Sequence, residues 1–332
     1  MASSDSKNIQ RIGFLLVRNF ALMSYASATE PLRAANLLAG RTLYQIVPLA
    51  QEAGTVTSSS GVPIGCADLE SEGETCHTVF VCAGGEPADW ADTSASHTTL
   101  RRLSRLGVRI GGISSGAFVL AAAGLLDNRD FTIHWEHAPA LKEAFPHLTP
   151  RHARFVLDGG IATCGGGVAP LDMMHAMIAE RLGADFARRV SDWYLHAAVA
   201  EPAAPQRGSV AERFGTNHPA LLAVLEKMET AIERPLDRTS MARLAGVSPR
   251  HLDRLFKEYR GAGFLETYRE IRLRHARRLL QQSPLSIPEI AYATGFSSPA
   301  HFSNAFKRLF SETPGSLRRR PRKQPLSGSM KA

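Results

Sequence analysis
The chain has 332 residues, 44% of them hydrophobic and 21% charged, which is an ordinary globular composition and predicts about two domains. Its net charge of +8 hides a split: residues 1–206 carry 16 Lys/Arg against 20 Asp/Glu, a net of −4, and residues 207–332 carry 23 against 11, a net of +12. Only the back of the molecule is therefore expected to meet a polyanion, and the front is excluded from that role.

The chain opens with a polar stretch and an apolar run, Ile12–Val17, too short for a signal sequence or a membrane span, so a soluble cytoplasmic protein is expected. Ile12–Val17 reads as a buried strand, Tyr25 to Ala39 as a helix, and Leu43 to Leu49 and Thr78 to Ala83 as further strands, the last ending at Gly84-Gly85. Leu100 to Leu106 reads as a basic amphipathic helix. Val108 to Ile113 is a strand running directly into Ser114-Ser115-Gly116 and a helix from Ala117 to Leu125. Strands near Arg154–Leu157 and Ile161–Thr163 precede a helix from Ala169 to Leu182. Strands alternating with helices imply a mainly parallel sheet covered on both faces, an α/β domain of flavodoxin-like type. Cys66, Cys76, Cys82 and Cys164 form no CxxC pair and no zinc spacing. Asp172 and His175 share a helix face without a third ligand, so neither metal nor cofactor is expected.

Residues 197–217 carry Pro202, Pro205 and Gly208 without periodicity and read as a linker. Beyond it the spacing predicts helices over Pro219–Arg234, Ser240–Ala245, Pro249–Tyr259, Phe264–Gln281, Ile287–Thr294 and Pro299–Phe310, and a short one after Pro314. A basic tail, 321–332, follows. One pattern occurs twice: "AGVSPRHL" at 245–252 and "TGFSSPAHF" at 294–302. In each, Gly246 or Gly295 suits a left-handed turn. Ser248, and Ser297 or Ser298, can cap the next helix, with Pro249 or Pro299 at or near its first position. That is a helix-turn-helix unit, made twice, in an all-α domain. Leu252, Leu255 and Phe256, then Phe302, Phe306 and Leu309, are expected to point inward. The outer faces hold Arg250, His251, Arg254 and Lys257, then His301, Ser303, Asn304, Lys307 and Arg308. Arg250, His251, Ser298 and His301 stand at helix entry and are the expected base readers. Lys257, Lys307 and Arg308 are expected on phosphates.

The runs "SPRHLDRLFKEYRG" (248–261), "YREIRLRHARRLLQQSPLSIPEIAYATGFSSPAHFSNAFKRLF" (268–310) and "TPGSLRRR" (313–320) resemble the AraC/XylS DNA-binding domain. The resemblance implies two helix-turn-helix units joined by one long helix, here about Phe264–Gln281, entering successive major grooves. Gly261-Ala262-Gly263-Phe264 stands where that family usually has Ser-Pro.

In the front half, Gly111-Gly112-Ile113-Ser114-Ser115-Gly116 between strand and helix has the form of a nucleophile elbow, whose backbone N–H groups suit an anion. The same small residues also suit plain packing. Read alone, Ser114 and His134 form a candidate Ser-His pair. The runs "IGFLLVRNFALMSYASATEPLRAAN" (12–36), "VFVCAGG" (79–85), "GGISSGAFVLAAAGLLDNRDFTIHWEH" (111–137) and "IATCGGGVAPLDMMHAMIAERLG" (161–183) resemble the PfpI-like, class I glutamine amidotransferase-like domain that precedes AraC modules in GlxA-type regulators. The resemblance implies that Ser114 stands where hydrolytic relatives carry Cys, that Glu30 matches an early acidic residue near the elbow, and that His134-Trp135 matches the group's histidine-tryptophan pair. A poorer nucleophile fits a domain kept for binding. An effector pocket of Glu30, Gly84, Gly85, Ser114, Ser115, His134 and Trp135 is expected, with Trp90 or Trp193 as further aromatic wall. The segment "EPLRAAN" resembles regulators of glycine betaine and carnitine catabolism, which implies a zwitterionic ligand.

The expected organisation is a sensing domain (1–196), a linker (197–217), a double helix-turn-helix domain (218–320) and the tail. The expected protein is a transcription regulator, an activator that is not an enzyme. Its expected partners are double-stranded promoter DNA, a small-molecule effector, RNA polymerase and a second copy bound through the front domain, with no membrane. Two alternatives stay open: a Ser-His hydrolase or amidase with a DNA-binding appendage, and a DNA binder without effector.

Overall fold
The computed structural model describes residues 9–85, 87–90 and 93–319. The chain divides into two units at Gln206/Arg207. The tail 321–332 lies outside the described residues.

The first unit contains strands β1 (Gln10–Leu16), β2 (Tyr44–Ala50), β3 (Gly54–Thr57), β4 (Pro63–Asp68), β5 (Thr78–Ala83), β6 (Arg109–Ser114), β7 (Phe155–Asp158) and β8 (Ile161–Cys164). They form one sheet in the order β3-β4-β2-β1-β5-β6-β8-β7. Pairing is parallel through the middle and antiparallel only at the two edges, β3 with β4 and β7 with β8. The helices are α1 (Leu22–Ala39), α2 (Leu69–Glu72), α3 (Pro87–Trp90), α4 (Ser94–Arg105), α5 (Gly116–Ala122), α6 (Ala138–Ala144), α7 (Ala169–Leu182) and α8 (Ala184–Trp193).

Strand alternation sends successive side chains to opposite faces. Phe14, Phe80 and Ile113 enter one core with Leu32, Met173, Ile178 and Val190 from α1, α7 and α8. Leu15, Val79, Val81 and Ile110 enter the other with Leu100, Leu103 and Leu120 from α4 and α5. Both faces are covered, which is why these strands read as continuous apolar runs. In register, Leu16 lies opposite Cys82, Ala83 opposite Ser114, and Ile113 opposite Cys164. The carboxyl ends of β1, β5, β6 and β8 thus meet at one sheet edge.

The second unit is helical: α9 (Val210–Phe214), α10 (Pro219–Thr230), α11 (Arg238–Leu244), α12 (Pro249–Arg260), α13 (Phe264–Gln282), α14 (Ile287–Ala293), α15 (Pro299–Phe310) and α16 (Pro314–Arg319). It has two small cores. Phe264 and Tyr268 of α13 join Leu221, Met228, Leu252 and Phe256 in one. Leu273, Ala276, Leu279 and Leu280 of the same helix join Ile290, Phe296, Phe302 and Phe306 in the other. One helix therefore serves both helix-turn-helix units.

Residues 197–217 are not an irregular linker throughout. Arg154 N donates to Pro202 O (2.9 Å) and Ala200 N to Asp172 Oδ1 (2.9 Å), fastening the first part onto the first unit. The second part forms α9, started by a capping box in which Ser209 Oγ accepts from Glu212 N and the Glu212 carboxylate accepts from Ser209 N. The hairpin β3–β4 and helices α2, α6 and α8 are further additions to the sequence reading. The hairpin, α2 and α6 are too short to show a period, and α8 follows α7 across Gly183 alone, so its own amphipathic face does not separate from the helix before it.

Candidate functional site
In the first helix-turn-helix unit, α11 is closed by Ala245, just past its last residue, and the chain turns at Gly246 (φ +67°). Ser248 Oγ then accepts from His251 N (3.2 Å), capping α12 with Pro249 in its first turn. In the second, α14 is closed by Thr294, just past its last residue, Gly295 turns (φ +72°), and Ser298 Oγ accepts from His301 N (3.2 Å) to cap α15 ahead of Pro299. Ser298, not Ser297, is the cap. The second turn is one residue longer, and Ser297 is exposed within it. Both recognition helices are the same length and close on a left-handed residue, Gly261 and Ser311.

The glycine requirement differs between the two turns. A Cβ on Gly246 would meet nothing within 4 Å, so only its φ matters. A Cβ on Gly295 would stand 2.6 Å from Ile232 O and 2.8 Å from Pro235 Cδ, in the loop between α10 and α11. The second turn is thus packed against the first half of its unit. Arg272 of α13 adds to that joint by donating to Gly295 O (2.7 Å), with its guanidinium over the rings of Phe296 (4.7 Å) and Tyr268 (5.6 Å). Tyr268 in turn donates to Ala231 O (2.5 Å). Sequence reading did not single out Arg272, because one arginine among many on a basic helix carries no local signal.

Arg250, Arg254 and Lys257 are exposed on α12, and His301, Asn304, Lys307 and Arg308 on α15; His251 and Ser303 are half-buried. Leu252, Leu255 and Phe256, and Phe302 and Phe306, are buried as expected. Leu309 is a correction: it is 39% exposed, and Phe310 packs on Phe306 instead (4.6 Å). Helical period alone would turn 309 inward; ring packing decides otherwise, because Phe310 joins the Phe302–Phe306 core and lies under the Arg277 guanidinium of α13 (4.9 Å).

In the first unit Ser114 has φ +60°, the left-handed conformation of an elbow residue, which costs a non-glycine residue on the order of 1–3 kcal/mol. Only a glycine fits two places on: a Cβ at Gly116 would stand 2.0 Å from Val81 O. The elbow is not open, however. Ser114 is 6% exposed, and the Gly165–Gly167 loop after β8 lies over it, so that a Cβ at Gly166 would stand 2.5 Å from Ser114 Cβ. Gly167 N donates to Ser24 Oγ of α1 (2.8 Å), holding that loop down.

His134 is next to the elbow in backbone only: its N–H faces Ser114 O at 3.4 Å. Its Nδ1 accepts from Glu136 N (3.3 Å), which places the proton of the neutral ring on Nε2. Burial lowers its pKa, so the neutral form dominates near pH 7. Among the described residues no hydrogen bond joins Ser114 Oγ to a histidine. Cys164, at the end of β8, is fully buried and its thiol is pushed up to about 12 by desolvation, so it stays protonated near pH 7.

The other expected pocket residues are dispersed. The Glu30 carboxylate is a correction: it accepts from Arg33 Nε (2.7 Å), since a salt bridge three residues along its own helix is the nearest partner, and the Tyr194 hydroxyl donates to the Glu30 backbone carbonyl beside it. Desolvation, with Glu30 beside it, raises the Tyr194 hydroxyl to about 12. Gly84 is buried against the backbone of Asn19 and Ala21, and its carbonyl accepts from Trp90 Nε1 (2.9 Å). Trp90 itself is core, edge-on to Phe118 (4.4 Å), and Trp193 is half exposed on α8. Gly85 is exposed at φ +64° beside Asp89, and Ser115 is fully buried. What the structure brings together is Ser114, the 165–167 loop, and the His134-Trp135 segment. Trp135 N donates to Gln206 Oε1 (2.8 Å). A lone glutamine in a Pro/Ala-rich stretch gave no sequence signal.

Among the described residues no group of three or more His, Cys, Asp or Glu could hold a metal, and no helix is long and apolar enough to cross a membrane.

Residues 10–180 match the DJ-1/PfpI family, and residues 241–320 match a helix-turn-helix domain. The HTH-type transcriptional regulator GlxA of Rhizobium meliloti (strain 1021) is 93% identical over 319 residues, which is 96% of this chain and 98% of that protein. The HTH-type transcriptional regulator GbdR of Pseudomonas aeruginosa is 36% identical over 97% of this chain and 88% of its own. A solved AraC family transcriptional regulator from Pseudomonas putida superposes with a TM-score of 0.51 at 25% identity, over 56% of this chain and 99% of that one.

Proposed function
The chain belongs to the DJ-1/PfpI family and, within it, to the helix-turn-helix transcriptional regulators of GlxA type, and from that premise we propose that it activates transcription in response to a small metabolite held near its elbow. The observation that carries the DNA half is the doubled turn, in which Gly246 and Gly295 reverse the chain, Ser248 and Ser298 cap, and basic faces stay exposed. Arg250, His251, Ser298 and His301 take the base edges. Lys257, Lys307 and Arg308 take phosphates, and Arg254, Ser248, Ser297, Ser303 and Asn304 complete the interface. The cap hydroxyls accept from the helix and still have their own proton to donate.

The first unit works as a sensor, not an enzyme. Support comes from the covered Ser114, from a His134 whose Nδ1 faces a donor where a triad would place an acceptor, and from the raised Cys164 thiol. The ligand site in this reading is the His134-Trp135 segment with the 165–167 loop, and a zwitterion such as a betaine, carnitine or an amino acid is its occupant. The regulator works in the cytoplasm as a homodimer through its first unit and contacts RNA polymerase at the promoter.

The test uses the full chain. A thermal-shift screen of glycine betaine, carnitine, choline and amino acids is expected to single out a ligand that stabilises by about 2.7 kcal/mol at a hundredfold excess over its Kd. The same ligand should change affinity for genomic DNA captured by the protein, since an effector must favour one state to shift anything. A flat screen removes the ligand class. Amide hydrolysis that disappears in Ser114→Ala overturns the sensor reading in favour of a hydrolase.

A further inference from the structure
The last residue of the first unit is hydrogen-bonded like a ligand. Gln206 Nε2 faces three acceptors, Ala153 O (2.7 Å), Ile133 O (2.9 Å) and Thr132 Oγ1 (3.0 Å), while its Oε1 accepts from Trp135 N (2.8 Å). The acceptors for a primary amide's two N–H protons and the donor for its carbonyl all come from the first unit. The socket is itself anchored: Thr132 Oγ1 donates to the 151–153 strand approach, and Thr132 N donates to Thr163 Oγ1 of β8 (2.9 Å). Gly165, itself buried, packs against the bound amide: a Cβ there would stand 2.5 Å from the Gln206 carboxamide carbon.

Three placements make this more than a covered polar patch. The socket is built from 132–135, the segment that carries His134 and Trp135. Gly165 belongs to the loop that covers Ser114. Gln206 is the residue before Arg207, where the DNA-binding unit begins. We propose that residues 132–135 with Ala153 form a carboxamide socket whose ligand in cis is Gln206, and that filling or emptying it is how the front site holds or releases the connector to the DNA-binding unit. The control half of this rests on the effector reading above; the socket half does not. A carboxylate cannot replace the amide, because it has no N–H for three acceptors and would be left unpaired among them.

The experiment uses the full chain and three variants: Gln206→Ala, Gln206→Glu and Gly165→Ala. Hydrogen exchange of the Trp135 amide reads the socket, and the rate of tryptic cleavage after Arg207 reads the connector. In Gln206→Ala and Gly165→Ala, Trp135 exchange should rise by about tenfold or more, with the rest of the sheet still protected. Acetamide, which supplies the deleted carboxamide, should restore protection in Gln206→Ala and not in Gln206→Glu. Cleavage after Arg207 should accelerate in all three. Unchanged Trp135 exchange in both Gln206→Ala and Gly165→Ala overturns the socket. Faster exchange with unchanged cleavage overturns its hold on the connector. Glycine betaine, carnitine, choline and amino acids are then added to the unaltered chain. A zwitterion that stabilises the protein should alter both rates, and one that stabilises while leaving both untouched overturns the link. If none stabilises, the effector reading fails while the variant measurements still decide the socket.

Discussion
The two units use glycine-bearing turns in opposite ways. In the DNA-binding unit the turns at Gly246 and Gly295 put the left-handed conformation on glycine, so the bend is nearly free of strain and the helix beyond it is exposed to a partner. In the first unit the left-handed conformation falls on Ser114, and the bend is covered by the 165–167 loop. The first kind of turn presents the helix that follows it, whereas the second holds a non-glycine residue in a costly conformation beneath a covering loop. The contrast sets a unit that offers the helices beyond its turns to DNA beside one that keeps its turn out of solvent.

The strongest test of this contrast is Asp172→Asn. Asp172 is buried and accepts from Arg154 Nε, from His196 Nε2 (2.7 Å) and from Ala200 N (2.9 Å), joining α7 to the start of the connector. Removing the charge leaves Arg154 without its partner and should cost the first unit about 3–5 kcal/mol, seen as loss of its tryptophan fluorescence transition at lower denaturant. Helical signal from the second unit should persist. Simultaneous loss of both would break the picture of two separately built units.

Next in size is the pair Gly295→Ala and Gly246→Ala. The first adds left-handed strain and a backbone clash and should destabilise the second unit by about 2–3 kcal/mol; the second adds only the strain, about 1 kcal/mol. Unfolding followed by circular dichroism checks this, and equal losses would remove the close packing inferred for the second turn.

On DNA, Arg250→Ala should cost about 1–3 kcal/mol and relax preference at one position. Lys257→Ala should weaken all sequences alike and reduce the salt slope by about 1. Binding titrations over a salt series separate the two, and identical profiles would erase the division between base and phosphate contacts. The smallest effect is expected for Ser114→Gly, which relieves the elbow and should stabilise the first unit by under about 1 kcal/mol. Destabilisation there would mean the Ser114 side chain contributes more than its backbone costs.

Much of this molecule was legible before any fold was drawn. The repeat of Gly, Ser and Pro at 246–249 and 295–299, the amphipathic period of each recognition helix, and the strand-to-helix turn at Ser114 are local patterns, fixed by φ preference, capping and side-chain period. So was the charge split, which sums over a stretch of chain. The one-residue choice of Ser298 over Ser297, the inward place of Phe310 over Leu309, and the contact of Tyr194 with Glu30 needed the packed structure.

By itself, the sequence determined the central strands, the longer helices of both units and the two glycine turns of the second, and that the second unit is built to meet DNA, because those properties depend on residues a few positions apart. Tertiary structure alone decided that the elbow is closed, that the second turn leans on the loop after α10, and that Gln206 returns to bond Trp135 71 residues away. Those contacts join residues far apart in the chain, where no spacing rule operates and only the close packing of the fold selects which polar groups meet.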